Sequence, residues 1–259
     1  MHIPDSINML FPLLKFDNEE EKQQFNEYMV TRGIYLYKYV YDTLRKWEPN
    51  VQEIKYVHFK NIIRYDKRLR DKLYVFLAAA EEYLRNIIFE NIDIKLESIS
   101  KKRSKIDVSK LFPRDKDNRS ADSNLYYYSY EVGLYFGAIE KVFRKFHLAE
   151  QNDLKQSDIT KVVELRNKVM HHNMLLLSKF SDRTSIEKEI SKVEKEIEAL
   201  YRILTTKELK NGTSIDGKEK GGLSYEINKC NYKDGDITRK PYDNLISLHA
   251  FKNGRFLRQ

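Results

Sequence analysis

Glycine and proline are distributed unevenly along this chain, and their distribution limits the folds that it can adopt. Six of the nine glycines lie beyond residue 210, and Pro113 is the only proline between Pro49 and Pro241. Both residue types destabilise the interior of a helix, so long helices are favoured where they are scarce. We therefore predict an all-α fold, with a helical bundle over residues 1–205 and a less regular C-terminal extension of unknown role over residues 206–259.

Capping residues and apolar spacing predict where the individual helices begin and end. Asn18 precedes three glutamates and can cap the first helix, which Gly33 interrupts. Asp66 precedes the third helix, and Asp158 and Thr184 are predicted to cap two later ones. Apolar residues spaced three and four apart mark the face of each helix that packs in the core. The predicted helices cover residues 19–47, 51–64, 67–96, 125–149, 159–177 and 185–204.

Charge and cysteine content exclude several classes of protein. The formal net charge is +8, which favours polyanionic partners such as nucleic acid, although a solvated charged surface is the alternative. Because Cys230 is the only cysteine, the chain can form neither an internal disulfide nor a multi-thiolate zinc site, and we expect a cytoplasmic protein. Its apolar stretches are far shorter than the ~20 residues of a membrane span, and the N-terminus carries Asp5 and lacks a basic leader. We therefore predict neither a membrane anchor nor a secretory signal.

One polar segment between apolar runs, residues 165–173, contains the candidate catalytic residues. Asn167 and His171 are four residues apart and share one face of a helix, and the long side chain of Arg166 can swing toward that face. A guanidinium orients a phosphate, and an imidazole transfers a proton near neutral pH. The alternative is an ion-paired arginine and a histidine that caps the helix or packs in the core.

Signatures of cofactor and metal chemistry are absent from the sequence. Motifs for nucleotide binding, zinc proteolysis and serine hydrolysis do not occur. Adjacent His171 and His172 project about 100° apart on a helix, and no nearby Asp, Glu or Cys completes a metal site. We therefore expect neither a cofactor nor a metal.

Two sequence motifs resemble a known family. Residues 166–173 read RNKVMHHN, which resembles the RNxxxHHN form of the RxxxxH motif in HEPN ribonucleases, and more narrowly in the Abi-like (abortive-infection) branch of phage-defence proteins. Upstream, residues 65–70 read YDKRLR and residues 81–85 read EEYLR, which resemble the YDxxLR and ExxLR helices of that branch. The resemblance covers roughly residues 25–205 and implies a HEPN-like helical bundle.

The resemblance implies a reaction and a role for several residues. HEPN ribonucleases cleave RNA without a metal by 2′-OH attack, which leaves a 2′,3′-cyclic phosphate and a 5′-OH. By this resemblance Arg166 binds the scissile phosphate, His171 transfers the proton and Asn167 helps to position the site. His172 and Asn173 match the pattern without an assigned role, and hydrogen bonding at the helix end is the alternative for both.

Further residues bear on how the candidate site is held in place and on how its activity is restrained. Glu81 and Arg85 are four residues apart, so they can form a helix-surface ion pair, which is either purely structural or, as the resemblance implies, a brace for the site. Asn173 stands where toxins silenced by a nucleotidyltransferase antitoxin have tyrosine, so silencing by tyrosine modification is not expected. Met170 replaces the alanine that is usual in Abi-like relatives, which suggests a bulkier pocket wall.

A homodimer is expected because one chain supplies one imidazole of clear role. Attack by a 2′-OH needs a proton removed at one oxygen and another delivered to the leaving oxygen, and a two-fold dimer would supply a second His171. The family resemblance also implies a composite site, formed across a dimer or between two copies in one chain. Candidate interfaces are the glycine pair Gly133 and Gly137 and the apolar face over residues 190–204. Packing within the chain is the alternative for both.

These observations lead to a functional hypothesis with two alternatives. The leading hypothesis is an endoribonuclease that acts on RNA as a toxin or phage-defence effector, and that a small non-coding RNA or a protein antitoxin restrains. The second is a catalytically silent RNA-binding helical protein or scaffold. The third is a helical interaction module, which only the apolar stripe over residues 186–204 supports.

Overall fold

Helices account for most of the residues that the structure describes, so the prediction of a mainly helical fold is confirmed for them. This computed structural model describes residues 10–47, 50, 52–91, 136–175, 183–215 and 218–230. None of the helices in these ranges combines the length and the apolar character that crossing a membrane requires.

Two helices near the N-terminus, α1 (Glu19–Arg32) and α2 (Ile34–Trp47), begin and break as the sequence predicts. The Asn18 side chain accepts a hydrogen bond from the backbone N–H of Glu21 at 2.9 Å, which satisfies one of the free donors at the start of α1. Gly33 separates the helices with a φ of +86°, a conformation that side-chain-bearing residues rarely adopt. Two short strands, β1 (Leu14–Lys15) and β2 (Ile54–Lys55), flank this helix pair and pair in parallel.

Helix α3 (Tyr56–Asn91) is continuous over 36 residues, although the sequence predicted two helices divided near Asp66. Asp66 is fully buried inside the helix. Its carboxylate accepts hydrogen bonds from Nε of Arg70 at 2.8 Å and from the backbone N–H of Leu175 at 2.7 Å. The predicted division was wrong because Arg70 of the same helix and the remote N–H of Leu175, rather than the N–H groups of a helix start, bind this carboxylate. The predicted end near residue 96 lies outside the described residues.

The next elements are α4 (Phe136–Phe146), α5 (Leu148–Gln151), α6 (Gln156–Met170) and α7 (Arg183–Ile203). Helix α6 begins before Asp158, the predicted cap, and ends well before residue 177. Asp158 is buried in the first turn and accepts two hydrogen bonds from the guanidinium of Arg202, at 2.8 and 2.9 Å. The predicted cap was wrong because the helix begins two residues before Asp158 and this carboxylate accepts its hydrogen bonds from Arg202 of α7 rather than from a backbone N–H of the first turn. Of the helix predicted over residues 125–149, the part before residue 136 lies outside the description, and the rest breaks at His147.

Beyond residue 205, the described chain packs on the preceding helices. It forms α8 (Lys207–Asn211), the antiparallel strands β3 (Gly212–Ile215) and β4 (Lys218–Gly221), and α9 (Leu223–Cys230). A Cβ at Gly212 would lie 2.0 Å from the backbone oxygen of Lys220, so the strand pairing requires glycine there. Leu223 and Ile227 of α9 are buried in the common core, and Glu226 forms an ion pair with Lys72 of α3 at 2.6 Å. The boundary predicted at residue 205 stays a prediction, and residues 231–259 lie outside the description.

The predicted apolar stripe of α7 is part of the common core. Val193, Ile197 and Leu200 are fully buried, and Leu204 nearly so, whereas the side chains at positions 186 and 190 lie outside the description. The stripe over residues 193–204 therefore packs within its own bundle and is not available as a dimer surface. Gly137 is exposed, and a Cβ there would meet nothing within 4 Å, so this residue does not form a tight helix crossing within the described chain. Gly133 lies outside the description.

Candidate active site

The candidate catalytic segment ends α6 in a defined hydrogen-bonded turn. Backbone N–H groups after Met170 donate to carbonyl groups of the last helical turn: His171 to Asn167 at 3.1 Å, His172 to Val169 at 3.1 Å and Asn173 to Lys168 at 3.0 Å. His172 is in the left-handed region with a φ of +54°. Together these bonds and this conformation form a Schellman motif, which satisfies the free carbonyl groups of a helix end. Helix-end hydrogen bonding is therefore observed for the backbones of His172 and Asn173.

The side chains of this turn face solvent. His171, His172 and Asn173 are exposed, and Asn167 is partly buried. Within the described part of the chain, none of these four side chains forms a hydrogen bond or an ion pair. Because no partner among the described residues holds them, they can reach a ligand or a second molecule at the end of α6.

Arg166 lies beside the second motif, which α3 contributes. Its Nε is 3.4 Å from Oε2 of Glu81, while the other oxygen of Glu81 accepts a hydrogen bond from Arg85 at 2.5 Å. The Arg166, Glu81 and Arg85 side chains are 25%, 15% and 28% exposed, so the cluster is only partly open to solvent. Counted by themselves, these three side chains, one carboxylate and two guanidinium groups, carry one net positive charge. We call these three residues the arginine cluster.

The structure brings two of the predicted supporting residues, Glu81 and Arg85, into one cluster with Arg166, whereas His171, His172 and Asn173 lie in the exposed turn. Glu81 and Arg85 touch each other, and Glu81 also touches Arg166. His171 follows Arg166 by five positions, which corresponds to about 140° around a helix axis. Arg166 therefore points toward α3 while His171 follows at the exposed end of α6. A single chain therefore presents the group predicted to bind phosphate and the group predicted to transfer a proton on different sides of the same helix end.

A further ion pair holds the exposed end of α6 against α7. The amine of Lys168 lies 2.8 and 2.9 Å from the two carboxylate oxygens of Glu196, which is 1% exposed. Burial raises the pKa of the Glu196 carboxyl, and the hydrogen bond from Lys168 partly opposes this rise. Lys168 is thus engaged in packing, although it lies next to Asn167 in the motif.

Sequence reasoning missed the contact between Asp66 and the residues that follow the turn. From the sequence, Asp66 was predicted only to precede a helix, and it is the aspartate of the YDxxLR-like motif. An available signal was the apolar spacing around it, because a carboxylate among buried Ile63, Tyr65 and Leu69 needs a specific partner. That partner, the N–H of Leu175, lies 109 residues along the chain.

Comparisons of the chain with family models, with curated proteins and with solved structures found no match. The resemblance to Abi-like proteins therefore depends on the two motifs. Among the described residues, no group of three or more His, Cys, Asp or Glu side chains is arranged to hold a metal ion.

Proposed function

We propose that this protein is a metal-independent endoribonuclease of the HEPN type, related to the Abi-like branch, that acts in the cytoplasm as a toxin or phage-defence effector. The observation that supports this most is the contact between Arg166 and Glu81. It joins the RxxxxH-like motif to the ExxLR-like motif, which are remote in the sequence. Two motifs of the same resemblance that lie in contact indicate the family more specifically than either motif does by itself.

The arginine cluster is suited to a phosphodiester. Guanidinium groups form charge-assisted hydrogen bonds with phosphate oxygens, and these strengthen as negative charge develops in the transition state. Glu81 orients Arg166 and offsets part of the positive charge, which keeps both arginines together when no RNA is bound. The net charge of +8 also favours attraction of RNA before the site is engaged.

The reaction requires two proton transfers. The 2′-oxygen loses its proton and forms a bond to phosphorus, while the bond from phosphorus to the 5′-oxygen breaks and that oxygen takes up a proton. An exposed imidazole such as that of His171 can serve either step. A second His171, supplied by another copy of the chain, serves the other step, so the active species is a two-fold homodimer. A small non-coding RNA or a protein antitoxin restrains it.

Separate replacement of Arg166 and His171 by alanine tests this function. Each variant is expected to lose RNA cleavage by roughly 100-fold or more with unchanged helical circular dichroism, because the side chains act on the substrate and not in the core. Arg144→Ala and His147→Ala are matched controls, since both remove exposed side chains of the same types outside the site. Wild-type cleavage should leave cyclic phosphate ends and continue in excess EDTA.

Three results would contradict the proposal. Cleavage by both variants at the wild-type rate would exclude the assigned residues. A strict need for Mg²⁺ or Mn²⁺ in a contaminant-free preparation would exclude the metal-independent mechanism. Salt-sensitive RNA binding without cleavage would support the silent RNA-binding protein instead.

A further inference from the structure

We propose that Asp66 is a positioning residue that holds the turn of residues 171–173 in place for proton transfer by His171. This proposal rests on the proposed ribonuclease function. It concerns a residue of α3 that lies behind the site and does not touch the substrate.

Both oxygens of the Asp66 carboxylate are engaged. Oδ1 accepts a hydrogen bond from the backbone N–H of Leu175 at 2.7 Å, and Oδ2 accepts one from Nε of Arg70 at 2.8 Å. Asp66 is fully buried, and the Arg70 side chain is 13% exposed. A charged acceptor that binds a backbone N–H in a buried setting gives a stronger hydrogen bond than a neutral one.

This hydrogen bond fixes the far end of the turn. The Schellman bonds fix residues 171–173 to α6 on one side, and the bond between Leu175 and Asp66 fixes the chain to α3 on the other. The side chains of Met174 and Leu175 are buried as well. Few backbone angles therefore remain free between the two attachments, and the His171 imidazole projects from a turn that is held at both ends.

A rigid turn matters for catalysis because proton transfer requires close heavy-atom distances. Displacement of a catalytic group by about 1 Å can lower a rate by about 100-fold. A buried carboxylate is costly unless it is fully paired, and apolar residues of similar size are often no worse for stability. We therefore attribute the hydrogen bond between Leu175 and Asp66, the anchor of the turn, to placement of the turn rather than to stabilisation of the fold.

The test compares Asp66→Ala and Asp66→Asn with Asp158→Ala and Asp158→Asn in the full chain. Asp158 is a matched control, because it is a buried, arginine-bound carboxylate at the opposite end of α6. When each rate is divided by the concentration of folded protein, we expect Asp66→Ala to lower kcat about 10- to 100-fold at unchanged KM. Asp66→Asn should recover part of the rate, since its oxygen still accepts from Leu175. Both Asp158 variants should keep the wild-type kcat.

Amide hydrogen exchange provides a second measurement that is independent of activity. The Leu175 amide should exchange faster in Asp66→Ala than in Asp158→Ala. Equal kcat values for the Asp66 and Asp158 variants, or unchanged exchange at Leu175, would overturn the proposal. If Asp66→Ala does not fold, Asp66→Leu and Asp158→Leu replace the alanine pair, because leucine is similar in size but accepts no hydrogen bond, and the same criteria apply to them.

Failure of the proposed function gives a different pattern. A wild-type protein that cleaves no RNA contradicts the ribonuclease assignment and, with it, the catalytic role of Asp66. Faster exchange at Leu175 in Asp66→Ala would then show that the anchor exists without this reaction, whereas unchanged exchange would show that the anchor itself is wrong.

Discussion

His172 occupies a backbone conformation that glycine adopts more readily. Its φ of +54° lies in the left-handed region, where a residue with a Cβ pays roughly 1 kcal/mol relative to glycine. Glycine is the commonest residue at this position of a helix end. A histidine here therefore costs stability, and the turn itself does not need its imidazole.

Replacement of His172 by glycine is expected to raise the free energy of unfolding by roughly 0.5–1 kcal/mol. The strain of the left-handed residue is removed, and the greater freedom of glycine in the unfolded chain offsets part of the gain. Urea denaturation with a common slope for both proteins measures the difference. His147→Gly is the control, because His147 has a φ of +55° outside the site and should gain a similar amount. Destabilisation by His172→Gly alone would contradict the described turn.

At the scale of elements, the packing of α9 on α3 buries the single cysteine. Cys230 is 3% exposed, and burial raises the pKa of its thiol to about 12. The thiolate is the reactive form, so at pH 8 only about one thiol in ten thousand is reactive while α9 stays in place. Reaction of Cys230 therefore reports the opening of α9.

Native protein at pH 8 is expected to react with an aromatic disulfide reagent far more slowly than unfolded protein in guanidinium chloride. Leu223→Ala should accelerate labelling, because loss of a fully buried leucine costs about 2–5 kcal/mol and weakens the packing of α9. Val75→Ala, at an exposed position of α3, is the control that should leave the rate unchanged. Labelling of the native protein at the rate of a free thiol would contradict the buried position of Cys230.

At the scale of the whole molecule, the separation of Arg166 from His171 bears on assembly. One chain places its arginine cluster between α3 and α6, and it places His171 and His172 at the exposed end of α6. A two-fold dimer can bring the His171 of one copy toward the arginine cluster of the other. The buried stripe of α7 does not supply the interface.

Specific activity is therefore expected to fall on dilution below the concentration at which the dimer dissociates. Light scattering across a concentration series gives the oligomeric state, and RNA cleavage measured on the same samples gives the activity. The two transitions should coincide. A monomer that keeps its full specific activity would exclude the shared site. That result would instead indicate a nuclease that acts as a single chain.

Local features of the chain could be predicted from the sequence because their causes are local. The Asn18 cap depends on a donor three residues away, and the break at Gly33 depends on the freedom of one backbone. The apolar spacing of α7 similarly places Val193 and Ile197 on one face, which is buried in the structure. The helix that carries Arg166 was also predicted, but its predicted end at residue 177 was wrong, because the helix ends at Met170, before the HHN segment.

The tertiary structure decided what the charged residues do. Aspartate is a residue type that is favoured at helix starts, which is why Asp66 and Asp158 were predicted to precede helices. Each carboxylate nevertheless lies inside a helix and binds a group from a distant segment. Glu81 meets Arg166 only because α3 and α6 pack together. A short polar side chain can be satisfied equally well by a nearby N–H or by a remote one, and its sequence neighbours are the same in both cases. Packing brings the remote partner close and excludes water, and these two effects determine which hydrogen bond forms.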